Sequence, residues 1–292
     1  MQIQVTDVFL RDGLQDEKVI VSTADKLGIA DALIAAGVKR LEVASFVNPA
    51  RVPQMGDAVA VLAGLPADIG ATFTSLALNG KGIVRAAAAG ATDIQVVASA
   101  SQAHSSANAG TGIEAALESL AADVAARPGI NFFAGISTAF TCPFDGEIDP
   151  DHLLRVVRAF KAMGITQIGL ADTLGTTPTG RLMESVRRIQ DKEPELTYYL
   201  HLHNAHGQAL DTVDAAIEAG ITRFDSALGG YGGCPFAPGA AGNLATEELV
   251  AHLHAAGHQT GIDAAALDRA VMLARTAVLN SPALPVNALN GH

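Results

Sequence analysis

The stretch TYYLHLHNAHGQALDTVDAAIEAGITRFDS, residues 197–226, carries one full period of the pattern that decides the fold. Thr197–His203 alternates in the manner of a strand. From Gln208 apolar residues recur at helical spacing until Ala219-Gly220, where glycine can take the left-handed conformation that ends a helix without steric cost. Arg223–Ser226 then opens another strand. The same period extends through the chain, predicting further strands at Ile3–Leu10, Arg40–Phe46, Ile69–Ser75, Asp93–Ala98, Ile130–Phe140 and Gln167–Ala171. Helices are expected to start near Ser22, Pro53, Lys81, Gly112, Asp149, Thr177, Gln208 and Asn243, several beside a capping residue. Ala36-Gly37, Ala89-Gly90 and Met163-Gly164 close helices as Ala219-Gly220 does. This repetition predicts an α/β fold, a (β/α)8 TIM barrel, as one continuous domain over residues 1–292 with a helical C-terminal extension from about residue 263. An open doubly wound sheet is the alternative, weakened because no glycine fingerprint follows the first strand.

With 292 residues, 49% of them hydrophobic, the chain can bury one large core. Its 30 acidic and 19 basic residues give a net charge of -11 without a basic cluster, which argues against a nucleic-acid partner. Cys142 and Cys234 are too few for a disulfide framework, and each stands in a Cys-Pro-Phe turn context. The opening MQIQVTDVFLRDG lacks a basic region followed by an apolar run, and no stretch has the composition of a membrane span. A cytoplasmic protein is the expectation.

Three elements carry chemistry. His201 and His203 share one strand face, while Leu200 and Leu202 take the other, so two imidazoles can look into the barrel as half a metal site. Two buried, hydrogen-bonded histidines are the plainer alternative. Arg11 and Asp12 follow the first strand at the barrel end where active sites are built, pairing a permanent cation with a hard carboxylate, although such a pair can also be a surface ion pair. The glycine-rich stretch from Gly229 to Asn243 encloses Cys234, a candidate acid, base or nucleophile, where an ordinary βα loop is much shorter. Asn243 either caps the last barrel helix or completes a metal site.

Together these stretches resemble the 3-hydroxy-3-methylglutaryl-CoA lyases of the metal-dependent lyase and synthase barrels. The matching segments are Arg11-Asp12-Gly13-Leu14-Gln15, Glu42 to Val47, Val52 to Met55, Cys142-Pro143-Phe144, Asp172-Thr173-Leu174-Gly175, His201-Leu202-His203, and Gly232-Gly233-Cys234-Pro235 through Gly242-Asn243 to Glu247. The resemblance implies Mg2+ or Mn2+ held by Asp12, His201, His203 and Asn243. It implies catalytic roles for Arg11, Asp12, Cys234, His201 and Glu42, substrate contacts from Arg11, Gln15, Ser45, Thr173 and Asn108, and a homodimer. The implied reaction is retro-Claisen cleavage of 3-hydroxy-3-methylglutaryl-CoA, or a close 3-hydroxy-3-substituted acyl-CoA, to acetyl-CoA and a keto acid. Alternatives are a lyase of the same family for a citramalyl-type or longer branched thioester, and a condensing synthase. The last follows from Asn204, which gives an HxHN in place of HxHD. Gln102 and His104 stand where these lyases carry an acid and an aromatic, which points to a different acyl substituent.

Overall fold

A computed structural model describes residues 1–67, 69–233 and 242–284. Eight parallel strands close into a barrel: β1 (Gln4–Asp7), β2 (Arg40–Ser45), β3 (Thr72–Ala77), β4 (Asp93–Ser99), β5 (Asn131–Ser137), β6 (Gln167–Asp172), β7 (Thr197–Leu202) and β8 (Arg223–Ser226). Neighbouring strands follow chain order, and β8 pairs with β1 to complete the circle. The helices are α1 (Thr23–Ala35), α2 (Ala58–Gly64), α3 (Gly80–Ala88), α4 (Gln102–Ala109), α5 (Ile113–Ala125), α6 (Pro150–Ala162), α7 (Thr179–Lys192), α8 (Ala209–Glu218), α9 (Thr246–Ala255) and α10 (Ala264–Asn280). The barrel is therefore as expected. No helix among the described residues is long and apolar enough to cross a membrane.

Several ends differ from the sequence expectation, each for a local reason. The first strand stops at Asp7, because Phe9–Gly13 forms a wide π-type turn in which Asp12 N and Gly13 N both donate to Val8 O, at 2.8 and 3.1 Å. β5 stops at Ser137, since Thr138 has a φ of 48° and cannot continue a strand. Pro53–Met55 is only a short 3-10 turn, and α2 begins at Ala58. Ser101 accepts from His104 N at 3.0 Å and caps α4, a helix that the period of the sequence does not announce. The Cys142-Pro143-Phe144 turn joins two short antiparallel strands, Thr141–Cys142 and Gly146–Glu147. Asp263 caps α10 by accepting from Ala266 N, and that helix packs on α1 and α9.

Outward-facing Leu41, Ile94, Leu200 and Phe224 are buried in the core between sheet and helices. The barrel interior is unusually polar. Arg223 stacks 3.8 Å from the Tyr199 ring centroid and 5.4 Å from that of Phe133, donating to Thr6 Oγ1 at 3.2 Å. Arg40 lies 4.9 Å over Phe133.

The carboxylate of Asp7 ties the end of β1 to the end of β8. It accepts from Phe9 N at 3.0 Å, from Leu228 N at 3.0 Å and from Thr246 Oγ1 at 2.7 Å. Burial nevertheless pushes its pKa up to about 7 against those bonds. Asp7→Ala is expected to cost about 3 kcal/mol in urea unfolding, because buried donors lose their acceptor. Since the folded value is raised, the stabilisation linked to Asp7 is present below its unfolded pKa and is lost as pH rises through about 7. The unfolding free energy should fall over that interval on the order of 3 kcal/mol further in wild type than in Asp7→Asn.

Candidate active site

The turn after β1 presents Arg11 and Asp12 side by side, both buried. Arg11 donates from Nη1 to Asp12 Oδ1 and from Nε to Glu42 Oε1, which reaches it from β2. Burial opposes the guanidinium charge, but Asp12 and Glu42 outweigh it and hold Arg11 firmly protonated. Burial also pushes Asp12 upward. Arg11, the two histidines and the amide of Asn243 overcome that push and hold the carboxyl at about 2. Glu42 stays raised because burial dominates the pull of Arg11.

His201 and His203 face the interior, as strand alternation requires. Their Nε2 atoms lie 3.3 Å apart. His201 Nε2 is 3.8 Å from Asp12 Oδ2, and its Nδ1 is 3.5 Å from Asp225 Oδ2 on β8. Burial depresses the His201 pKa, but the bond to Asp225 and the charges of Asp12 and Asp225 raise it overall. Asp12, His201 and His203 each offer one ligand atom within 4.8 Å of the others.

Asn243 pairs with His203 in an isolated bridge. Its Nδ2 donates to Asp12 Oδ2 at 2.7 Å and to Tyr231 O at 2.9 Å, while its Oδ1 is buried without a hydrogen-bond partner. The capping alternative for Asn243 is excluded, because α9 starts at Thr246 with Ala245 at its N-cap. Gly232, with φ 107°, lets the backbone close over this group: a Cβ there would stand 2.4 Å from Asn243 Nδ2. Two facing imidazole nitrogens, a carboxylate and an orphaned amide oxygen fit a divalent cation better than they fit each other. The carboxylate of Asp225 behind His201 is the arrangement that orients a metal-binding imidazole.

A cavity of about 430 Å³ opens from this centre. Arg11, Asp12, Gln15, Asn108, Thr173, His201 and His203 border it, so most of the residues expected from the sequence converge. Glu42 stands behind Arg11. Ser45 does not border the cavity: it is buried, paired in register with cavity-lining Leu76, and its Oγ has no hydrogen-bond partner. Cys234 lies outside the described residues, although Gly233 borders the cavity. Thr173 Oγ1 accepts from the N–H of Thr138 at 2.8 Å, which holds that residue in its left-handed conformation beside the cavity.

The departures singled out in the sequence have local uses. Gln102 Oε1 accepts from Ile113 N at 3.2 Å at the start of α5, and Asn204 Oδ1 accepts from Ala209 N at 3.2 Å at the start of α8. Neither borders the cavity, whereas His104 does, with Nδ1 3.1 Å from Ser99 Oγ and burial depressing its pKa to about 4. Sequence reasoning missed Asp225, Gln95 and Tyr199. Alternation along their strands, applied to every polar residue rather than to histidines alone, would have placed all three inside the barrel.

The HMGL-like family model matches residues 2–273. The chain belongs to the HMGL-like family. Among relatives, it is 36% identical over 268 residues to the 3-hydroxy-3-isohexenylglutaryl-CoA/hydroxy-methylglutaryl-CoA lyase of Pseudomonas aeruginosa, covering 91% of this chain and 89% of that one. It is 39% identical over 277 residues to the (R)-citramalyl-CoA lyase of Chloroflexus aurantiacus, covering 91% and 87%. The structure of an HMG-CoA lyase from Acinetobacter baumannii in complex with coenzyme A and 3-methylmalate superposes with a TM-score of 0.90 at 36% identity, over 100% of this chain and 95% of that one. Divalent-metal dependence is a property of the HMGL-like family, and Asp12, His201 and His203 are a group that could hold such an ion. His203→Ala and Asn243→Ala are expected to weaken Mn2+ binding at least about tenfold in titration calorimetry, and Asp225→Asn by about ten- to a hundredfold. Unchanged affinity in all three would remove the site.

Proposed function

We propose that this chain is a divalent-metal carbon–carbon lyase that cleaves 3-hydroxy-3-methylglutaryl-CoA, or a close 3-hydroxy-3-substituted acyl-CoA, to acetyl-CoA and a keto acid. The observation that carries this reading is the meeting of Arg11, Asp12, His201 and His203 on a single cavity, with Asn243 bonded to Asp12 beside them. The names of its relatives support the substrate class. Mg2+ or Mn2+ bound among Asp12, His201, His203 and Asn243 supplies Lewis acidity that lowers the proton affinity of the substrate's 3-hydroxyl.

Asp12 takes the hydroxyl proton at Oδ2. Held near a pKa of 2, it is a weak base that accepts this proton only because the bound ion would acidify the hydroxyl, while Asp225 at Nδ1 orients His201 so that its Nε2 would hold the ion. The C2–C3 bond then breaks, its electron pair moving onto the acyl-CoA as an enolate while C3 becomes a ketone. Arg11, which cannot give up its proton, stabilises the enolate oxygen. Glu42 fixes the guanidinium by accepting from its Nε. Cys234, from the glycine-rich stretch before Asn243, returns a proton to C2 and completes acetyl-CoA.

Citramalyl-type and longer branched thioesters fit the same chemistry with a different group on the carbinol carbon. The condensing-synthase alternative rests on Asn204, whose oxygen is used at the start of α8. The test is turnover of purified enzyme on 3-hydroxy-3-methylglutaryl-CoA with Mg2+ or Mn2+, following acetyl-CoA. Activity should vanish in chelator and return with metal, and Arg11→Lys should lose about 10²–10³-fold in kcat while its melting temperature stays near that of wild type. Turnover indifferent to chelator would contradict the proposal.

A further inference from the structure

Beneath the catalytic centre the barrel is hollowed by a row that crosses four adjacent strands. Val97 on β4 pairs with Gly135 on β5, Gly135 with Gly169 on β6, and Gly169 with Tyr199 on β7. All four border the cavity. Tyr199 lies two residues before His201 on the same strand face, so this floor is about 7 Å below the imidazole. The glycines are required by what fills the interior beside them. A Cβ on Gly169 would stand 2.4 Å from the Tyr199 ring, and one on Gly135 would stand 3.1 Å from Gln95 Nε2.

Polar groups on this floor are held in fixed directions. Tyr199 OH donates to Gln95 Oε1 at 2.7 Å, which turns the NH2 end of that amide away from the tyrosine. Gln95 Nε2 then reaches Glu42 Oε2 only at 3.5 Å, a long contact that leaves donor capacity toward the cavity it borders. Ser137, two residues beyond Gly135 on β5 and level with His201, also borders the cavity, and its buried Oγ has no hydrogen-bond partner. Among the described residues no cation borders the cavity at this floor, and Arg223 lies behind it on the far side of the Tyr199 ring. Arg11 is bound to Asp12 and Glu42, and Arg51, Lys81 and Arg85 enter the cavity from the loop after β2 and from α3.

We infer that this hollow is the subsite for the third substituent on the substrate's carbinol carbon, and that it selects a group longer than methyl carrying an uncharged acceptor oxygen, a hydroxyl or ketone. Gln95 Nε2 donates to that oxygen at the level of Gly135, Ser137 Oγ lines the way to it two residues higher, and Gly135 and Gly169 provide the room. A carboxylate here would have no cation in direct contact, since the Tyr199 ring screens Arg223 from the cavity, and a plain alkyl group would leave the amide and hydroxyl unsatisfied. Tyr199 acts through Gln95 as a positioning residue. The inference rests on the lyase reading and narrows its substrate.

The test is kcat/KM, with Mn2+, on three CoA thioesters that share the 3-hydroxyl and the carboxylate arm. The third substituent is methyl, a linear alkyl chain, or a chain of equal length ending in a hydroxyl or ketone. Wild type is expected to prefer the oxygen-bearing thioester at least tenfold over each of the others. Gln95→Leu should bring the oxygen-bearing and alkyl substrates within threefold of one another, and Gly135→Ala should lower the ratio of long to methyl substrate at least tenfold. A wild-type preference for methyl or plain alkyl overturns the inference without needing any variant, as does a preference for oxygen that survives in Gln95→Leu. Cleavage of none of the three removes the lyase reading and this inference with it. Cleavage of the methyl substrate best of all removes this inference alone.

Discussion

Arg11 carries a full charge inside the barrel, held by Glu42 on one side and Asp12 on the other, and the rest of the site is arranged around keeping that charge compensated. An isolated guanidinium at this depth would be prohibitively expensive to desolvate, and even a single partner leaves most of its donors unused. Two carboxylates from different strand ends solve the problem. They also create a second one, because Asp12 then needs its outer oxygen satisfied. Asn243 meets that need from the β8 side, so the charge on Arg11 indirectly fixes where the last loop must return. Removing Arg11 would leave two buried carboxylates without their cation, and removing either carboxylate would leave the guanidinium with a single partner.

The strand register brings the imidazoles to this cluster. Asp225 and His201 are direct partners across β8 and β7, so the carboxylate stands behind the ring. The β6 exit passes close by: Gly175, with φ 67°, lies where a Cβ would meet the His203 carbonyl carbon at 2.6 Å. Backbone from two loops thus presses on the site where side chains would not fit. The interior below is polar as well, and Tyr199 links its two levels, with a ring over Arg223 and a hydroxyl on Gln95.

Much of this was legible in the sequence. The barrel followed from the alternation of apolar runs with Ala-Gly helix closures, and the inward aim of His201 and His203 followed from their spacing alone. What escaped was set by contacts distant in sequence. The partners of Asp7 at the end of β1, Leu228 and Thr246, lie more than two hundred positions away. Asn243 carried a signal that suited either a cap or the site, and the start of α9 at Thr246 with Ala245 as its cap separates them. Asp225, Gln95 and Tyr199 looked like ordinary strand residues because nothing in a single strand reveals which polar side chain meets a partner across the barrel. The local uses of Gln102 and Asn204, whose amide oxygens accept at the starts of α5 and α8, likewise depend on contacts that their own segments do not announce.

The central claim is that a cation is held jointly by oxygen ligands from Asp12 and Asn243 and by two imidazoles of one strand. Pulsed electron paramagnetic resonance on the Mn2+-loaded protein tests it most directly, because coupling to nitrogen counts the histidines at the ion. Two inequivalent imidazole nitrogens are predicted in wild type, and one in either His201→Ala or His203→Ala. A spectrum without nitrogen coupling, or one that neither substitution changes, would contradict the account.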